Sequence, residues 1–168
     1  MQHINITKEG KQFFIEAPWN PLFISELKKL HGKWNPDKKI WTVASFVDAQ
    51  LNEIICEIFG DLSGPTIETI KCSVISELRR EQDSVVFLGK VIASTKGRDT
   101  RITFDQDVVY TAKGPTAGGS KKHWCSIIPQ GSEFIVHDVP VDLYQNYVDG
   151  TGIYASLRKN IVIEKLSL

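Results

Sequence analysis

Asp61-Leu62-Ser63-Gly64-Pro65-Thr66 separates two stretches whose hydrophobic periods differ. Its Ser-Gly-Pro core reads as a linker, because glycine and proline both interrupt regular backbone. Upstream, apolar residues recur at helical spacing. Leu22, Phe23, Ile24, Leu27 and Leu30 make one stripe, and Phe46, Val47, Leu51, Ile54, Ile55 and Ile58 make a second. Downstream, Ile70, Cys72 and Val74 alternate with polar residues, the pattern of a half-buried strand. The change of period predicts an α+β protein in two modules. Residues 1–62 form a small β-α-β-β-α module. Residues 66–168 form a β-rich, ligand-binding domain, a mostly antiparallel barrel or sandwich.

Working back from the linker, Gly60 ends the second helix. Ser45 and Asp48 have the spacing of a weak capping box at its start. Phe13-Phe14-Ile15 is a short strand that stops before Pro18. Asn20 caps a helix opened by Pro21, where the missing N–H costs nothing, and Gly32 closes that helix in a left-handed conformation. Lys33-Trp34 and Ile40–Val43 then pair as a hairpin around Asn35-Pro36-Asp37.

Working forward, Arg79-Arg80-Glu81-Gln82-Asp83 reads as a charged turn. Strand-like runs follow at Val85–Leu88, Val91–Ile92, Arg101–Phe104, Val108–Thr111, Trp124–Ile128 and Glu133–His137. Pro140 opens a short helix through Tyr147, and Ile161–Glu164 is expected to pair back and close the sheet. Short strands at regular spacing are the signature of a compact β domain.

The 168 residues are 42% apolar and 24% charged, an ordinary globular balance. No apolar run approaches the ~18 residues of a membrane-spanning helix, so no membrane partner is expected. Twenty basic and twenty acidic side chains leave no net charge. Seven basic and eight acidic ones fall in residues 1–61, leaving thirteen and twelve for the rest. A protein that coats duplex DNA without sequence preference needs a basic face, and bulk charge gives none. Three cysteines without CxxC spacing do not make a disulfide framework. The first residues carry no basic, then apolar, secretory pattern. A cytoplasmic protein is the expectation.

Phe13–Pro21, Leu27-Lys28-Lys29-Leu30, Gly32-Lys33-Trp34-Asn35-Pro36 and Lys39-Ile40-Trp41 together resemble a HARP-like module, covering about residues 11–60. The spacing from Gly32-Lys33-Trp34 to Trp41 is the most specific part. Trp19 departs from the family, which more often has Tyr or His there. Such modules stand beside annealing-helicase motors and engage forked or single-stranded DNA, and similar ones open phage and plasmid proteins. The resemblance implies nucleic acid as partner. Gly97-Arg98-Asp99 and Gly118-Gly119-Ser120-Lys121 resemble a β-rich domain that follows this module in some mobile-element proteins. The phosphate-loop pattern GxxxxGK[ST] is absent, so nothing supports an ATP-driven motor.

Trp34 and Trp41, with Trp19, are candidate stacking platforms for bases, each stacked base contributing ~1–3 kcal/mol. Lys33 and Lys39 beside them are candidate phosphate contacts. The competing reading is that both hairpin tryptophans are core and the lysines a solvated face. In the second module, Gly119, Ser120, Lys121, His123 and Trp124 form a candidate anion-and-base loop, since glycines let backbone N–H groups approach an anion. Arg98 and Asp99 belong to a second polar loop, in which Arg98 can grip phosphate and Asp99 orient it. A plain hairpin loop and an ordinary β-turn are the alternatives.

The four histidines lack metal-ligand spacing, and His123 with Cys125 is the nearest approach to a reactive pair. No catalytic residue, metal or cofactor is expected. The chain reads as a non-enzymatic binding protein for nucleic acid. The alternatives are an anti-defence sponge that sequesters a small, for example cyclic, nucleotide, and an inhibitor that binds a host defence protein. Self-association into a homo-oligomer is compatible with all three.

Overall fold

The computed structural model describes residues 3–167. The described residues are mixed α+β, with three α-helices and antiparallel sheets among them. It divides into two compact units between Ile58 and Phe59.

The first unit is a four-stranded sheet with two helices. Strands β1 (Asn5–Glu9), β2 (Gln12–Glu16), β3 (Lys33–Asn35) and β4 (Ile40–Ala44) lie in the order β1-β2-β4-β3. Helix α1 (Pro21–Lys29) starts as expected: the Asn20 side-chain oxygen accepts from the N–H groups of Leu22 and Phe23 at 3.1 and 3.2 Å. Its buried residues, Phe23 and Leu27, are one helical turn apart, and the buried sheet residues are Phe13, Ile15 and Val43. Helix α2 (Asp48–Phe59), whose last residue belongs to the second unit, buries Leu51, Ile55 and Ile58 within the first.

Several local expectations need correction. Strand β1 is exposed at every residue, so it carries no hydrophobic alternation, and the order is β-β-α-β-β-α. The left-handed residue after α1 is His31 (φ 59°), not Gly32. The N–H of Gly32 donates to Leu27 O at 2.8 Å and that of His31 to Lys28 O at 3.0 Å, the paired bonds of a Schellman ending. Gly32 is demanded by space instead, because a Cβ there would stand 2.8 Å from the Leu27 carbonyl oxygen. Ser45 caps nothing: residues 45–47 form a 3-10 turn without a side-chain cap bond, and Phe46 is 86% exposed.

The second unit is built on strands β5 (Thr66–Val74) and β12 (Glu133–Pro140), paired along most of their length. With β9 (Val108–Ala112) and β13 (Ile161–Lys165) they form a sheet ordered β13-β5-β12-β9. A second sheet, β10-β11-β6, joins Thr116–Gly119, Trp124–Ile128 and Leu78–Glu81. Val85–Phe87 (β7) and Lys90–Ala93 (β8) make a hairpin. Helix α3 (Val141–Asp149) buries Leu143 and Tyr147, and the Tyr147 ring meets Phe87 edge-on at 4.9 Å.

No sheet among the described residues closes into a barrel. Ile161–Lys165 does pair back, but onto β5 at one edge, while β9 occupies the other. Closure would need those two edges to meet. Arg79, Arg80 and Glu81 belong to strand β6 rather than a turn. β6 is an edge strand whose outer side chains reach water, and charge is tolerated there. Around Arg101–Phe104 only one bridge forms, Ser94 with Thr103.

Among the described residues one basic side chain is buried. Lys90 is 2% exposed and its ammonium contacts Asp107 at 2.7 Å. Burial opposes ionisation of Asp107, but the Lys90 hydrogen bond and charge outweigh it and hold the carboxyl below its ordinary value. Burial pushes the neighbouring Asp105 carboxyl up, although it accepts the Val91 N–H at 2.8 Å.

Candidate functional site

The turn at Asn35 aligns the two tryptophans. The Asn35 side-chain oxygen accepts from the N–H groups of Asp37 and Lys38 at 3.0 and 3.1 Å, and Lys39 takes a left-handed φ of 54°. The register that follows sets Trp34 directly opposite Trp41. Their ring centroids are 5.5 Å apart. On the far side of β4, Ile15 of β2 is the partner of Trp41. Trp41 therefore shares the face that carries Ile15 and Val43.

Beyond these core residues the face opens into a groove of about 460 Å³. Its lining includes Trp19, Phe23, Ile24, Lys28, Trp34 and Trp41. Trp34 is 48% exposed and Trp19 58%, so neither is a core residue. Trp41 is half-buried beside Trp34. Lys28 follows Ile24 by one helical turn, which places both on the same side of α1. Among the described residues no acid pairs with Lys28.

Lys33 and Lys39 do not join this groove. Lys33 precedes Trp34 on a strand and so lies on the opposite face, while Lys39 projects from the hairpin turn. Sequence reading quoted Lys28 only as part of a motif. The signal that could have found it was the four-residue interval from Ile24, combined with the guess that Ile24 borders an open face.

In the second unit, the Gly119–Trp124 segment is a hairpin tip between β10 and β11. Gly119 has φ +81°, and a Cβ there would collide with the His123 carbonyl. Ser120 donates its N–H to His123 O, and its hydroxyl accepts the His123 N–H. The Ser120 N–H is thus spent within the turn, while its hydroxyl keeps its own O–H to donate. The His123 ring meets Glu81 at 2.5 Å, and the Gln82 amide donates to Lys122 O at 2.5 Å. Lys121 is exposed, and Trp124 is half-buried opposite Gly119.

The Arg98 guanidinium turns onto Asp99, with two contacts of 3.2 Å to one carboxylate oxygen. Exposed pairs of this kind are weak and easily exchanged. The loop they occupy begins at Ser94, whose hydroxyl accepts from Ser84 at 2.8 Å. Both candidate loops are therefore tied to the Gln82–Ser84 turn, but no hydrogen bond or ion pair joins one loop to the other among the described residues. The Cys125 thiol approaches the His123 carbonyl at 3.7 Å, and Cys125 is buried.

Among the described residues no group of three or more His, Cys, Asp or Glu side chains could hold a metal ion. No helix of the described residues is long and apolar enough to cross a membrane. No protein-family model, no curated protein and no solved structure matches the chain.

Proposed function

We propose that the protein binds single-stranded or forked nucleic acid, with exposed bases stacked in the tryptophan groove of the first unit. Three indole rings and one cation on one open groove are the observation that carries this reading. Aromatic faces accept any base, because every base has a π-face, and a nearby ammonium neutralises a backbone phosphate. Trp34 and Trp41, tilted by 48°, cannot both stack on one flat base, so each offers its own platform. The groove spans the first unit's hairpin and α1, the segments that carry the HARP-like resemblance. The neutral net charge agrees with local capture of a strand end or fork rather than coating of long duplexes.

Fluorescence anisotropy with labelled oligothymidylate and with a forked duplex, at several salt concentrations, tests the reading. Trp34→Ala and Trp41→Ala should each weaken binding roughly tenfold, given ~1–3 kcal/mol per stacked base. Lys28→Ala should flatten the single-strand salt slope by about 0.7. Equal affinity of wild type and Trp34→Ala would overturn the proposal. Saturable binding of a mononucleotide, with none of the oligomer, would shift it to the nucleotide-sequestering alternative; 460 Å³ is within the size range of small-ligand sites.

A further inference from the structure

A second concave surface lies in the β-rich unit, formed by residues 83 positions apart. Ser76 donates its hydroxyl to Lys159 O at 3.0 Å, and the Asn160 amide donates to Ser76 Oγ at 2.9 Å and Glu77 O at 3.2 Å. The Ile75 N–H adds a bond of 2.8 Å to Asn160 O. These four bonds stitch the segment before β6 to the segment before β13. Asn160 is 8% exposed, so the seam is buried. Beside it opens a cleft of about 290 Å³, lined by Glu77, Arg79, Arg80, Ser156, Lys159 and Asn160.

Two arginines, a lysine and one acid contribute to the lining of this cleft, in a chain whose charges otherwise balance. The single acid serves Arg79 only loosely, at 3.7 Å with both side chains half-exposed. Arg80 and Lys159 have no acidic partner among the described residues. Arg80 extends from an edge strand, and Lys159 stands one residue from the stitched Asn160. Their backbones are therefore held in place before any ligand arrives. Arg79 and Arg80 are consecutive on β6 and leave opposite faces of the strand; Arg80 shares the face of Leu78, which also lines the cleft, and offers a planar fork of donors, while Lys159 adds a point charge, a pair that suits phosphate oxygens. The Ser156 hydroxyl, on the exposed side of the 3-10 turn over residues 155–157, supplies a neutral donor.

We infer that this cleft is a phosphate-binding site for a phosphomonoester or a phosphodiester unit, held by Arg80 and Lys159. Its volume is near the lower end of small-ligand sites, ~300–1,000 Å³, which matches a phosphate with one attached sugar better than a larger cofactor. The inference does not rest on the tryptophan groove, since the two sites share no residue.

Calorimetry of the full chain with inorganic phosphate, adenosine monophosphate and a short oligothymidylate tests it. Arg80→Gln and Lys159→Gln should each lower phosphate or nucleotide affinity roughly tenfold, because each removes a charge-assisted bond. Both side chains are exposed, so thermal melts should coincide with wild type and exclude misfolding. Arg80→Lys should retain part of the affinity. Trp34→Ala should leave phosphate binding unchanged, separating this site from the stacking groove. If adenosine monophosphate binds and the oligomer does not compete, the phosphate belongs to a small ligand; if the oligomer displaces inorganic phosphate, it belongs to a strand. No saturable binding of any of the three probes, or equal affinity in the Arg80→Gln and Lys159→Gln variants, would overturn the assignment.

Discussion

Trp34 faces Trp41 across the β3–β4 pair at 5.5 Å between ring centroids, yet 48% of Trp34 remains open to solvent. A cross-strand aromatic pair of this kind contributes roughly 0.2–1 kcal/mol to the hairpin. That small packing gain leaves the open half of the ring available to a ligand.

Stability and binding should therefore separate at Trp34. Phe23, 1% exposed, should cost about 3–5 kcal/mol on truncation to alanine. Trp34→Ala should cost about 1 kcal/mol or less while losing most of the oligonucleotide affinity. Thermal melts set beside anisotropy titrations check this, and a Trp34→Ala melt as low as that of Phe23→Ala would return the ring to the core.

The end of α1 makes a backbone prediction. His31 holds φ 59°, a conformation that costs a side-chain-bearing residue about 1 kcal/mol. His31→Gly should raise the melting temperature slightly. Gly32→Ala should lower it, because the new Cβ would meet the Leu27 carbonyl oxygen at 2.8 Å. Opposite signs at adjacent residues are the outcome to look for in paired melts.

Lys90 should be the costliest charged side chain to replace. Lys90→Met removes the 2.7 Å contact to Asp107 and should destabilise the protein at neutral pH. The Asp107 carboxyl lies below its ordinary value of 3.8 in the folded protein. Its stabilising contribution is present above 3.8 and is lost as pH falls through the lower, folded value. Urea unfolding at a series of pH values should thus show the wild-type advantage over Lys90→Met shrinking on acidification. Asp105, raised by burial, contributes with the opposite sign: its share of the stability falls as pH rises above 3.8.

At the β10–β11 tip, geometry rather than charge should dominate stability. Gly119→Ala forces a side chain onto φ +81° and against the His123 carbonyl, at a cost of about 1–3 kcal/mol. Lys121→Ala, at an exposed position, should stay within roughly 0.5 kcal/mol of wild type. Denaturant midpoints of the two variants check the contrast.

Local instructions were legible because their partners lie a few residues away. Asn20 before Pro21 caps a helix through bonds to Leu22 and Phe23, and Asn35 shapes a turn through bonds to Asp37 and Lys38. The change of hydrophobic period at Gly64-Pro65 marked where helix-rich sequence gives way to strands, since burial of one face imposes that period. What the sequence could not settle were relationships made by distant pairing. Nothing local tells β1, with no buried residue, that it will pair with β2, or Arg79-Arg80 that they will form an edge strand instead of a turn. The exposure of Trp34 depends on its place on an edge strand, and the barrel expectation failed because β13 and β9 ended at opposite edges of one sheet. Both candidate sites follow the same rule. Lys28 lines one groove with the tryptophans from a separate helix, and Lys159 lines one cleft with Arg80 from most of the second unit's sequence away, because tertiary packing sets which faces meet while residue spacing sets only which residues share a face.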